Sequence, residues 1–203
     1  MPIFTLIGAL DDALDQAGAG DELALVERAQ RLEEGAWQII YDRYYRRLFG
    51  YMYYRVGDPD LAEELVAQVF ERAVKHIGRY RHRGSDLGAW LNRIAQNLAH
   101  DVHRRQKTQP PAPLELNETW ISGGRDPAQQ ALLSESSRML AQALSQLTAD
   151  QREVILLRFV ARMTSPAIGR QMGKTTGAVK ALQHRALAAL RRELEALNYH
   201  GLS

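Results

Sequence analysis

The stretch SPAIGRQMGKTTGAVKALQHRALAALRR, residues 165–192, decides the reading of this chain. It reads as two short helices meeting at a glycine. Ser165 is placed to cap the first helix, with Pro166 at its first position, where a missing N–H costs nothing. Ile168 and Met172 then stand four apart on one face. Gly173 falls where that helix ends and the backbone requires a positive φ. Thr175 is placed to cap the second helix, whose apolar stripe is Val179, Leu182, Ala186, Leu190, Leu194 and Leu197. Lys180, Gln183, His184 and Arg185 project from its other faces. The spacing predicts a helix–turn–helix whose second, cationic helix suits the major groove of DNA. The same pattern also describes an ordinary helical hairpin, and charge separates the two readings.

From Gln146 to Ser203 there are nine Lys/Arg against four Asp/Glu, a local balance of +5. The whole chain carries only +2, which leaves −3 for residues 1–145. A modest net charge therefore conceals an asymmetric molecule. A cationic surface favours phosphate through counterion release, and an acidic remainder limits indiscriminate binding.

The 203 residues suffice for one or two domains with small cores. The absence of cysteine excludes disulfides, a thiolate zinc site and a cysteine nucleophile, and fits a reducing compartment. No stretch approaches the ~20 apolar residues that span a bilayer. Met1–Leu10 is apolar but lacks a basic leader and runs into Asp11 and Asp12, so a secretory signal is not expected. The expectation is a soluble cytoplasmic protein with no membrane contact, preceded by an extension over 1–22 that carries a short helix around Leu6–Leu14.

Helical periodicity runs from Leu23 to Gln106 in four segments, and β signals are almost absent. The second segment, Gly35 to Val56, is rich in aromatic and basic residues and stops at Gly57. Asp58 with Pro59 starts a third helix whose broad apolar face carries Leu61, Ala62, Leu65, Val66, Val69, Phe70 and Ala73 before Gly78 ends it. A basic loop, Arg79-Tyr80-Arg81-His82-Arg83, follows. Ser85 or Asp86 starts the fourth helix, with Trp90, Leu91, Ile94, Ala95, Leu98 and Val102 inward. Trp37 and Trp90 lie within apolar stripes and are expected in the core. Residues 108–125, TQPPAPLELNETWISGGR, hold three prolines and no helical stripe, the composition of a flexible linker. Asp126-Pro127 then caps a helix through Leu147, and Thr148-Ala-Asp-Gln151 is a capping box for the next, with Val154, Leu157 and Phe159. The expected fold is all-α: two small helical domains, 23–107 and 126–197, joined by the Pro-rich linker and followed by a short tail, 198–203.

With these features in place, the chain resembles a bacterial RNA polymerase sigma factor of the extracytoplasmic-function type, group 4 of the sigma-70 family, from about Leu23 to Leu197. The block Asp60-Leu-Ala-Glu-Glu-Leu-Val-Ala-Gln-Val-Phe70, followed by Trp90-Leu-Asn-Arg-Ile-Ala-Gln-Asn97 and the pair Arg104-Arg105, is similar to region 2. Leu147-Thr-Ala-Asp-Gln-Arg152, Gly177-Ala-Val-Lys180 and His184-Arg185-Ala-Leu resemble region 4. Three segments depart from the family pattern: Ala67-Gln68 replaces the usual Gln–acid pair, Ala167-Ile168-Gly169 replaces Glu-Ile-Ala, and Ala181 replaces Ser.

The resemblance implies an alternative sigma factor that binds core RNA polymerase, recognises −35 and −10 promoter elements and promotes DNA opening. Lys180, Ala181 and His184 would then face −35 base edges, with Thr176, Arg185, Arg158 and Lys174 on phosphates. A flipped −10 base needs a stacking face, polar partners and a cationic track. Tyr80 would stack, with Arg79, Arg81 and Arg83 around it, and Arg93, Asn97, Arg104 and Arg105 would line the track. Asp60, Glu63, Glu64, Ala67, Gln68 and Glu71 would meet the polymerase clamp, and the linker would pass through the polymerase cleft. An anti-sigma factor is the implied regulatory partner.

Two rival readings belong to other classes. A stand-alone helix–turn–helix regulator would need a sensor domain, for which the first domain offers no pocket signature. An enzyme would need a site; His100 and His103 have metal-ligand spacing, but no third ligand is placed to join them. No nucleophile elbow, phosphate loop or carboxylate pair appears, so no cofactor, no metal and no catalysis of its own are expected.

Overall fold

The computed structural model describes residues 19–81, 87–108 and 135–197. Among the described residues every regular element is helical. The first unit comprises α1 (Ala19–Gln30), α2 (Glu34–Val56), α3 (Pro59–His76), a 3-10 turn (Ile77–Arg79) and α4 (Leu87–Thr108). The second comprises α5 (Glu135–Ser145), α6 (Ala149–Ile155), a π-helical turn (Leu156–Val160), α7 (Ser165–Met172) and α8 (Thr176–Ala196). The expected linker, the Asp126-Pro127 cap, the Leu6–Leu14 helix and the tail lie outside the described residues, as do Ser85 and Asp86.

Local chemistry sets most helix ends. Asp58 accepts from the backbone N–H groups of Asp60 and Leu61, with Pro59 following it, which starts α3 where the sequence predicts. The 3-10 turn holds Gly78, and α3 itself ends at His76. The start of α4 is met from a distance: the buried Glu22 carboxylate of α1 accepts from the Leu87 N–H at 2.6 Å and from the Tyr44 hydroxyl at 3.4 Å. Gln30, also on α1, donates to the carbonyls of Ile77 and Tyr80 and ties down the 3-10 turn. Thus α1 closes the first unit by satisfying orphan backbone groups of two other elements.

In the second unit the Thr148–Gln151 capping box forms as expected. Arg152 caps the preceding helix by donating to the carbonyls of Leu144 and Ser145. Beyond α6 the chain widens, with the Ala161 N–H bonding to the Leu156 carbonyl five residues back, and it leaves through Arg162 at φ 56°. Thr164, not Ser165, caps α7, its hydroxyl accepting from the Ala167 N–H while Ser165 is buried in the first turn. Either side chain has capping chemistry; the backbone path out of Arg162 brings Thr164 to the helix end.

Buried side chains from both units form one continuous cluster. Trp37 and Trp90 pack against it half-buried, as their stripes predict, and the Trp37 indole N–H donates to the Ala29 carbonyl.

Candidate nucleic-acid interface

The helix–turn–helix is built on two glycines. Gly173 closes α7 at φ 66°, a conformation that other residues adopt at a cost. Gly169 is needed for closeness: a Cβ there would stand 2.6 Å from the Lys174 carbonyl oxygen. The Ala167-Ile168-Gly169 departure therefore lets the turn fold tightly back on α7, and the Lys174 N–H bonds to the Gly169 carbonyl at 2.9 Å. Thr175 caps α8 through the Ala178 N–H.

Of the expected α8 stripe, Val179, Leu182, Ala186 and Leu194 are buried and Leu190 and Leu197 half-buried; Ala189 and Gln183 are buried with them, Gln183 contrary to its expected outward place. Thr176, Lys180, Ala181, His184 and Arg185 are exposed. Positions 177, 180, 181, 184 and 185 share one face at helical spacing, and that face contains no acidic side chain. Lys174 is half-buried and pairs with Asp150 of α6 at 3.0 Å, which fixes it at the edge of this surface.

Arg158 is not part of it. The residue is 3% exposed, and its guanidinium donates to the Met163 carbonyl at 2.7 Å. It satisfies a carbonyl orphaned by the break after the π-turn, so its expected phosphate role is corrected to a structural one.

In the first unit Arg93, Asn97, His100 and Arg104 form an exposed stripe along α4, at steps of four, three and four residues. Arg104 pairs with Asp101 at 3.1 Å. Arg79 ends the 3-10 turn and Arg81 follows it, both exposed, and Arg81 also donates to the carbonyls of Gly78 and Tyr80. Tyr80 is corrected: it is 5% exposed and packs on Trp90 with ring centroids 5.2 Å apart, so it offers no free face to a base. Arg83 lies outside the described residues, and the same holds for the Arg105 side chain.

On α3, Glu64, Ala67 and Glu71 are exposed, and Asp60, Glu63 and Gln68 are half-buried on the same side of the helix. Glu64 accepts from Gln68 at 3.0 Å. Glu71 pairs with Lys75, whose hydrogen bond holds the Glu71 carboxyl below its usual range. The residues expected to face a protein partner are thus gathered on one acidic helix face, apart from the α4 stripe.

The sequence reading missed a polar cluster between the units. Glu153 of α6 is 5% exposed and accepts from the Tyr51 hydroxyl of α2 and the Gln96 amide of α4, each at 2.9 Å. Arg55 of α2 stands 3.2 Å from its other oxygen. Burial and the neighbouring Glu153 charge push the Tyr51 phenol well above its usual range.

Among the described residues no group of three or more His, Cys, Asp or Glu is placed to hold a metal ion. No helix among them is long and apolar enough to cross a membrane.

The sequence matches the family described as Sigma-70 region 2 over residues 40–109 and that described as Sigma-70, region 4 over residues 143–192. It is 38% identical over 176 residues to the ECF RNA polymerase sigma factor BldN of Streptomyces coelicolor, covering 85% of this chain and 65% of BldN, just under two thirds of that relative. It is 32% identical over 168 residues to the ECF RNA polymerase sigma factor SigX of Bacillus subtilis, covering 81% and 86%. With the ECF RNA polymerase sigma factor SigD of Mycobacterium tuberculosis it shares 34% over 201 residues, covering 96% and 89%. Among solved structures, the fold is similar to CnrH in complex with the cytosolic domain of CnrY, at a TM-score of 0.64 and 22% identity over 86% of this chain and 97% of that one. It is also similar to the sigma factor RpoE in complex with the anti-sigma factor NepR from Bartonella quintana, at a TM-score of 0.57 and 26% identity over 73% and 89%.

Proposed function

The chain belongs to the extracytoplasmic-function sigma factors of the sigma-70 family, and from that membership we propose a division of promoter recognition between its two helical units. It is an alternative sigma factor for transcription initiation, a DNA-binding regulator and not an enzyme. Bond-making belongs to the polymerase it joins, in the bacterial cytoplasm.

The second unit locates the promoter. Lys180, Ala181 and His184 approach base edges of the −35 element, where the Ala181 methyl suits a thymine methyl and Lys180 suits guanine acceptors. Thr176, Arg185 and Lys174 hold phosphates and set the register. The observation that carries this reading is the exposed, acid-free face of α8, presented by a turn that Gly169 and Gly173 make tight.

The first unit opens the DNA. Asn97 hydrogen-bonds a base taken out of the stack at the −10 element, and Arg93, Arg104, Arg79 and Arg81 form a cationic track for the melted strand. The face of α3 with Asp60, Glu63, Glu64, Ala67, Gln68 and Glu71 docks on the polymerase clamp. An anti-sigma factor regulates the chain, as NepR binds RpoE in the similar complex.

Gel filtration with bacterial core RNA polymerase, followed by run-off transcription from a promoter library, tests the reading. Co-elution with new, sequence-selective transcripts is the expected result. Failure to bind core, combined with tight binding of the chain alone to a DNA site, would replace it with a stand-alone regulator.

A further inference from the structure

We propose that Glu153 latches the two helical units into a closed arrangement, which the chain must leave to engage both promoter elements. The need to open rests on the division of recognition described above; the latch itself rests on contacts between the units.

The three groups that meet the Glu153 carboxylate, from Tyr51, Arg55 and Gln96, all belong to the first unit. Tyr51 is fully buried, and the Arg55 side chain is 13% exposed. A carboxylate taken out of water without partners would be strongly destabilising, and both hydrogen bonds that Glu153 accepts come from the other unit. When the units part, Glu153, Arg55 and Gln96 regain water, so the contact is selective when made and reversible when broken. The apolar cluster also continues from one unit to the other, and the Glu153 contacts add direction to it.

A second observation marks the same seam. Gly50 lies inside α2, where glycine costs roughly 0.5–1 kcal/mol relative to alanine. A Cβ at Gly50 would come within 3.0 Å of the Val160 side chain at the end of the π-turn. The missing side chain makes room for the second unit, so α2 is shaped to receive it.

Closure and promoter engagement exclude each other on length. Elements near −35 and −10 stand about 25 base pairs, or roughly 85 Å of straight duplex, apart. The longest helix of the second unit, α8, has 21 residues and spans only about 32 Å. A molecule with Glu153 within hydrogen-bond reach of α2 and α4 cannot place Lys180 on one element and Asn97 on the other. Residues 109–134 between the units, 26 in number, reach about 85 Å when fully extended, so the covalent connection permits separation.

The chain has no cysteine, which allows spin labels at two introduced ones, Glu27→Cys on α1 and Ala196→Cys on α8, both exposed. Pulsed electron resonance on the full chain is expected to give one narrow distance in the labelled parent. Glu153→Ala should lose the narrow peak to longer, broad distances, with Glu153→Gln between the two and helical circular dichroism unchanged in both. Core polymerase with promoter duplex should lengthen the parent distance. A broad distribution in the free parent, or a narrow peak that survives Glu153→Ala, overturns the latch. Lys180→Ala should leave the distance unchanged, so failure of the promoter assignment and failure of the latch are read separately.

Discussion

The Tyr51 hydroxyl donates to the Glu153 carboxylate at 2.9 Å, joining residues 102 apart in sequence and one helical unit to the other. Hydrogen bonds to a charged group contribute about 1.5–3 kcal/mol, so Tyr51→Phe should lower stability to urea by that order at neutral pH. The pH dependence has a definite sign. Burial and Glu153 raise the folded-state phenol above its unfolded value, so the contribution is fully present below about pH 10 and is lost as pH rises through the folded value. Urea titrations across that range should show the parent losing stability more steeply than Tyr51→Phe. Parallel curves would remove the buried phenol from the account.

Gly169→Ala sets two effects against each other. Alanine favours a helix over glycine by roughly 0.5–1 kcal/mol, which alone predicts stabilisation. The added Cβ would stand 2.6 Å from the Lys174 carbonyl, and relieving such overpacking costs about 1–3 kcal/mol. The contact should win. Thermal melts are expected to show a less stable protein, and −35 duplex binding should weaken as the turn loosens.

Arg158→Ala distinguishes structural from DNA-binding arginines. Loss of the bond to the Met163 carbonyl should destabilise the protein by about 1–3 kcal/mol. The salt dependence of −35 binding by the folded protein should stay the same. Arg185→Ala should do the reverse, leaving stability near the parent's and reducing the salt slope by about 1.

Local signals were legible in the sequence. The caps Asp58, Thr148 with Gln151, and Thr175 depend on residues within three positions, and the α8 stripe depends on a period that the sequence displays directly. What was not legible depends on partners far along the chain. Tyr80 reads as a stacking aromatic in a basic loop, whereas Gln30 bonds its carbonyl and Trp90 packs on its inward-turned ring. Arg158 reads as a surface cation because nothing in its neighbourhood announces the broken helix beyond the π-turn. Phe159, named with Val154 and Leu157 on this helix, is 41% exposed while those two are buried, at the point where the π-turn widens the helix. Glu153 sits in the run Arg-Glu-Val-Ile with no hint of partners 57 and 102 residues away.

The division of labour between α8 and α4 is tested most directly by two variants measured side by side as holoenzyme with core polymerase. Promoter-library transcription reads −35 preference, and permanganate reactivity of −10 thymines reads melting. Lys180→Ala should change −35 preference and still melt the promoters it binds. Asn97→Ala should co-elute with core and keep its −35 preference while losing permanganate reactivity. Normal reactivity in Asn97→Ala, or an unchanged −35 preference in Lys180→Ala, would contradict the account.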